Sequence, residues 1–252
     1  MSQQKQLKHL SNVGKTYSIR KQRNSYRYRV TLPSSTLDEI NVENGDELGF
    51  WIKINSNNRL QLVYETDPST CSILTSVSKH SSGELTIPSA VGAAANLRKE
   101  STTWDTYKRS NGSYIIVGTT TKELESHETE GPQFLANKPL RHTEQNVNHE
   151  GESWDQEHFQ LYLTVESADK LGWLDGETIG IKLICVDGSI GIKYTRLLED
   201  IPEKSQKKVQ KTGDYQRDRI AYTPNGLVRS LKYVNKPLDM YATNAGTLLV
   251  RE

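Results

Sequence analysis

Across its 252 residues the chain repeats one order of short apolar segments four times, and this recurrence limits the fold more than any other feature. The first copy opens with Tyr28-Arg-Val-Thr-Leu-Pro33, strand-forming residues in alternation before a proline. Residues 34–40 follow, with Leu37 and Ile40 three apart, the spacing of one helical face. Pro33 suits the edge of a first helical turn, where a missing N–H costs nothing. Asn44-Gly45-Asp46 then predicts a turn, 48–54 a strand, Asn57-Asn58 a hairpin turn and 60–64 the returning strand. The second copy has Glu84-Leu-Thr-Ile-Pro88, a helix-like stretch 89–97, strands at 103–108 and 114–117, and a turn at Asn111-Gly112. The third has strand 159–163, helix 166–171, a turn at Asp175-Gly176-Glu177, strand 178–186, a hairpin at Asp187-Gly188 and strand 190–194. The fourth has 219–223 before Pro224, helix 227–231, strands at 238–242 and 247–250, and one extra residue near Lys236-Pro237. Aligning Gly45 with Gly176 also brings Leu32 onto Leu163, Ile40 onto Leu171 and Gly49 onto Gly180.

One such unit is too small to bury its own apolar face, so each needs a sister copy. The fold class expected is therefore mainly β with short helices, arranged as two pseudo-dimeric barrels. Copies one and two would fill residues 1–120, and copies three and four residues 159–252, with a polar insertion at 199–218. Between the barrels, residues 121–158 hold nine acidic and three basic residues and four of the six histidines. With almost no apolar periodicity, this stretch reads as an acidic solvated linker.

Composition excludes several classes. The two cysteines, Cys71 and Cys185, are far apart and in no CxxC pattern, so they predict reduced strand residues and no disulfide framework or zinc site. The N-terminus is polar and basic without an apolar signal core, and no run approaches the ~18 apolar residues of a membrane span. A cytoplasmic chain with no membrane partner is expected. His127, His142, His149 and His158 share no metal-ligand spacing, and there is no GxSxG, P-loop or GxGxxG after a strand. No cofactor and no catalytic group is expected. Trp51, Trp104 and Trp173 fall at comparable places in their units and predict core packing. Trp154, in the polar stretch, could anchor a partner or dock that stretch.

With these residues in place, the chain resembles the AbrB/SpoVT swapped-hairpin family. Val30-Thr-Leu-Pro33, Ile40-Asn-Val42 and Gly45-Asp46 match that family's Val-Ile-Pro, Leu-Gly-Ile and Gly-Asp. Leu85-Thr-Ile-Pro88 with Asn96-Leu97, and Leu171-Gly-Trp173 with Asp175-Gly-Glu177, give two further matches. The resemblance implies hairpins exchanged between paired units, with each half an internal pseudo-dimer, and DNA binding as a transcriptional regulator. The sequence also departs from the family. Thr164 stands where the proline is expected in copy three. The second helix, Val91-Gly-Ala-Ala-Ala95, lacks arginines, and the first carries Asp38 and Glu39.

Charge points the same way. Residues 1–37 contain eight lysines and arginines and no acid, against +1 for the whole chain. Arg27 and Arg29 alternate to one face of a strand, Tyr26 and Tyr28 to the other. With Arg20, Lys21 and Arg23 they form a guanidinium-rich surface suited to phosphates and guanine edges. Lys79 near the second copy's lead-in, and Arg217 and Arg219 after the cluster Lys204, Lys207, Lys208 and Lys211, are secondary candidates. Double-stranded DNA is the expected partner. The alternative is a protein-interaction module, antitoxin-like or an assembly component, working through the second barrel or the acidic stretch. Pairing of whole chains into a homo-oligomer stays open.

Overall fold

The computed structural model describes residues 7–17, 28–79, 83–97, 103–109, 114–129, 131–149, 152–213, 217–243 and 245–252. The described chain is mainly β with a few short helices. It divides into two compact units that part after Glu125, with Ala93–Asn96 grouped with the second.

The first unit runs β1 (Leu7–Tyr17), β2 (Tyr28–Leu32), α1 (Ser34–Asp38), β3 (Glu47–Ile54), β4 (Arg59–Glu65), β5 (Leu74–Lys79), β6 (Gly83–Ile87), α2 (Ser89–Ala94), β7 (Thr103–Arg109) and β8 (Tyr114–Glu123). Its strands close into a barrel in the order β1-β2-β6-β5-β3-β4-β8-β7. β2 pairs β6, β4 pairs β8, β1 pairs β7 and β3 pairs β5, each antiparallel and each joining one copy to the other. The β2·β6 pair is centred on Val30 opposite Leu85, the same position in both copies. Along β2 and β6 alternate residues are buried, so Tyr28, Val30, Leu32, Leu85 and Ile87 enter the core.

The second unit runs β9 (Ser126–His127), β10 (Gln133–Lys138), β11 (Arg141–His149), β12 (Glu152–Leu163), α3 (Val165–Leu171), β13 (Thr178–Val186), β14 (Ser189–Thr195), β15 (Gln206–Lys208), β16 (Gln210–Thr212), β17 (Asp218–Thr223), α4 (Asn225–Ser230), β18 (Leu238–Ala242) and β19 (Leu248–Arg251). It has two sheets, one ordered β10-β18-β19-β14-β13-β15 with β9 beside β13, the other β11-β12-β17-β16. Laid end to end, these repeat the cyclic order of the first unit. β10 and β11 take the place of β1, and β15 and β16 that of β5. The break in the first falls at Pro139-Leu140, where proline removes a ladder donor. β12 and β17 meet at Leu161 opposite Ala221, again one position in two copies, and the one that Val30 and Leu85 occupy.

Two expectations are corrected. Residues 121–158 are not a linker, since they carry the end of β8, then β9, β10, β11 and most of β12. The stretch 199–218 is no loose insertion, because β15 pairs β13 and β16 pairs β17. β11, β15 and β16 are polar on most positions, and the apolar residues of β10 are consecutive, so none of them shows the alternation of a half-buried strand.

All four helices end the same way. Asn41, Asn96, Gly172 and Lys232 have φ of +54°, +48°, +65° and +59°, each eight residues beyond Pro33, Pro88, Thr164 and Pro224. The next residue's N–H then donates back to the last turn: Val42 to Leu37, Leu97 to Gly92, Trp173 to Ala168 and Tyr233 to Val228, at 2.9–3.1 Å. This left-handed cap satisfies helix carbonyls that would otherwise be orphaned. The four donors are all buried, so the cap also plants an apolar side chain in the core. Gly172→Ala should therefore cost about 1 kcal/mol, the steric charge for a Cβ in the left-handed region. Urea unfolding checks it.

The aligned glycines Gly49 and Gly180 share a second reason. A Cβ on Gly49 would lie 2.7 Å from the Cys71 Sγ, and one on Gly180 2.1 Å from the Ile201 Cδ1. Each glycine admits the segment that leads onward from the first hairpin of its unit. Neither cysteine is in a disulfide; Cys185 is buried and Cys71 half-buried. Trp104 and Trp173 are core residues, and the Trp173 Nε1 donates to the Gly246 carbonyl at 2.9 Å. Trp51 departs from the core reading. It is half-buried, donates to the Glu65 Oε1 at 2.6 Å and lies under the Lys53 ammonium.

Candidate nucleic-acid interface

β1 and β2 form a hairpin in which Tyr17 pairs with Arg29, Thr16 with Val30 and Lys15 with Thr31. The chain thus leaves β1 and returns to β2 at neighbouring strand ends. The ten residues between, 18–27, hold Arg20, Lys21, Arg23 and Arg27 and no acid. These four candidates lie outside the described residues.

Arg29 is described, and it is not a free cation. Its guanidinium makes an ion pair with Glu84, and both side chains are about one-third exposed. Arg29 and Glu84 occupy the same position of the two copies, one residue before Val30 and Leu85. They meet diagonally across the centre of the β2·β6 pair. Two identical chains would put like charges there, whereas two different copies can place opposite ones. Arg29→Ala should consequently change duplex affinity less than about threefold, because exposed pairs are worth under about 1 kcal/mol and this one already faces a carboxylate. An anisotropy titration checks it.

Lys79 ends β5 opposite Gly83, and its side chain lies outside the described residues. Lys108 is held by the Glu39 carboxylate and carbonyl. In the second unit, Arg217 is exposed. Arg219 is half-buried, and its Nη1 folds back onto the carbonyls of Arg217, at 2.5 Å, and Asp218, at 3.1 Å. That orientation turns the guanidinium toward its own backbone. Lys207 and Lys208 sit on β15 opposite Ile179 and Thr178. Lysines on a three-residue edge strand also guard it against pairing with other chains. Lys211 reaches Asp175 at 3.7 Å. Among the described candidates, Arg29 and Arg219 are thus each held in a local network of their own unit.

Sequence reasoning missed the counterpart hairpin of the second unit. β11 and β12 pair without a shift from Arg141↔Gln160 to His149↔Glu152. β17 joins only Phe159–Leu163, so residues 142–149 and 152–158 stand as a two-stranded ribbon beyond the sheet. At its base the Arg229 guanidinium clasps both Glu157 carboxylate oxygens at 2.6 and 2.7 Å, and the His142 Nε2 lies 2.8 Å from Glu157. The His142 ring stacks on Phe159 at 4.9 Å. Desolvation raises the Glu157 carboxyl, but Arg229 and His142 outweigh it and hold the group below the ordinary glutamate value. A depressed carboxylate stabilises the fold above its unfolded pKa, and that contribution disappears as pH falls through the folded value. Glu157→Gln should lower stability at pH 7, and the difference from wild type should shrink steadily through the acid range. Thermal unfolding across pH reads this directly.

Among the described residues no group of three or more His, Cys, Asp or Glu could hold a metal ion, and no helix is long and apolar enough to cross a membrane. Compared with protein-family models, with curated proteins and with solved structures, the chain finds no match.

Proposed function

We propose that the protein binds duplex DNA through the connection between β1 and β2 and acts as a transcriptional regulator built from two AbrB-like swapped-hairpin barrels. The observation that carries the reading is the Tyr17–Arg29 pairing, because it delivers four cations and no acid between two adjacent strand ends. Four charges on one short connection suit the closely spaced phosphates of a duplex. Lys21 would neutralise phosphate, while Arg20, Arg23 and Arg27 have the fork geometry for phosphate or for guanine edges in a groove. The barrel part of the proposal draws on the strand pairing between copies. Each copy gives β2, β4 and their counterparts to seams with its sister, and both units centre the first seam on one repeat position.

Fluorescence anisotropy with a labelled duplex, titrated at several salt concentrations, tests the proposal. Four phosphate contacts give a log–log salt slope of about −3.6, at roughly −0.9 per contact. No binding at low ionic strength would end the proposal.

A further inference from the structure

We propose that the β11–β12 ribbon is a docking site for an extended, lysine- or arginine-rich segment of a partner protein, which adds to the sheet as a further strand. Among the described strands, β11 pairs with β12 alone and stands at the end of its sheet, so residues 141–149 turn one main-chain edge to no described strand. Folded proteins usually blunt such an edge by shortness, lysine, proline or a bulge. β15 does so with three residues and two lysines. β11 runs nine residues with no bulge and, after Arg141, no lysine, arginine or proline. An open edge of this kind recruits an extended peptide through main-chain hydrogen bonds, with alternate side chains giving specificity.

Charge selects the occupant. Residues 142–158 contain five carboxylates and no lysine or arginine. Alternation puts Glu144 and Asp155 on one face of the ribbon, since Glu144 pairs with Glu157 and Asn146 with Asp155, while Glu157 on that face is already answered by Arg229. A second copy of this chain pairing edge to edge would set these carboxylates against each other, so self-association is disfavoured. A strand with cations at alternate positions meets them. The opposite face carries Trp154, 46 % exposed and directly across from Val147. Tryptophan is among the residues enriched at the energetic centres of protein interfaces. This surface is independent of the DNA reading, and it specifies how the second unit could contact protein.

The probe is a twelve-residue peptide alternating lysine with threonine and valine, added to the isotope-labelled full chain. Amide shifts should concentrate in residues 142–158. The double variant Glu144→Lys, Asp155→Lys should weaken binding at least tenfold, and so should N-methylation of alternate peptide residues, which removes main-chain donors. Trp154→Ala should weaken it by about tenfold. The variant with Arg20, Lys21, Arg23 and Arg27 changed to alanine should bind the peptide as wild type does, which separates this result from DNA binding. No shifts in the ribbon would overturn the proposal, as would binding indifferent to both the charge reversal and the N-methylation. Sedimentation showing that wild-type chains pair through the ribbon would equally overturn it.

Discussion

Changing Arg20, Lys21, Arg23 and Arg27 together to alanine should weaken duplex binding roughly 100-fold at moderate salt and flatten the salt dependence by a log–log slope of about 3 to 4. Both effects have one origin. Each lost phosphate contact removes the release of nearly one counterion, so affinity and its salt dependence fall together. The flattened slope distinguishes lost phosphate contacts from damaged folding, which would reduce the active fraction without changing the slope. The four residues fall in sequence between Tyr17 and Tyr28, outside the described β1·β2 pairs, so the barrel should keep its stability. Arg29 is the internal control. Its guanidinium already answers Glu84, and Arg29→Ala should leave the slope nearly unchanged. Unchanged affinity in the fourfold variant would remove the DNA reading.

Trp104→Ala and Trp173→Ala should each destabilise their own unit by about 3–5 kcal/mol. Both indoles are almost completely buried, at 0 % and 2 % exposure. Removing either leaves a cavity that the surrounding ladders cannot collapse to fill. Trp104 sits on β7, which is held by β1 on one side and by β8 on the other. Trp173 closes the α3 cap and donates to the half-buried Gly246 carbonyl, so its loss also removes that hydrogen bond. A typical domain has only about 5–15 kcal/mol in total. Native-state hydrogen exchange separates the two variants: Trp104→Ala should deprotect β7 and β8, and Trp173→Ala should deprotect β13 and β14. By contrast, Trp154→Ala should change stability by less than about 0.5 kcal/mol, because its side chain is exposed.

The elements legible in the sequence were those with one buried face. The strands 178–186 and 238–242 were located to the residue, because apolar side chains mark their cores and Gly188 or Pro237 marks their ends. The hairpin at Asp187-Gly188 was legible because its turn needs positive φ at both positions, here +46° and +75°. The helix ends were less clear. Asn41, Asn96 and Gly172 suit the left-handed cap, but Lys232 does not advertise it, and α1, α2 and α4 stop earlier than apolar spacing alone suggests, while α3 ends at Leu171 as expected. β11 was invisible because both faces of Arg-His-Thr-Glu-Gln-Asn-Val-Asn-His are polar or charged, so its strand period has no apolar marker. β10, β15 and β16 are hidden for related reasons. Their strands are short, and their neighbours in the sheet supply the order that their own side chains do not.

The candidate site was legible as charge and illegible as pairing. Eight cations before Leu37 stand out in the sequence. That Glu84 would take one of them required the β2·β6 register, which joins residues 55 apart in the chain. The Arg219 guanidinium folding onto its own backbone is likewise a matter of local geometry, which composition cannot express.

The account rests on interlocked copies that meet at one repeated position in each unit. Backbone NOEs in isotope-labelled protein test this most directly. The account predicts interstrand contacts between Val30 and Leu85 and between Leu161 and Ala221, with neighbours in antiparallel register around each pair. Absence of these contacts, or a register displaced by even one residue in either unit, would contradict it.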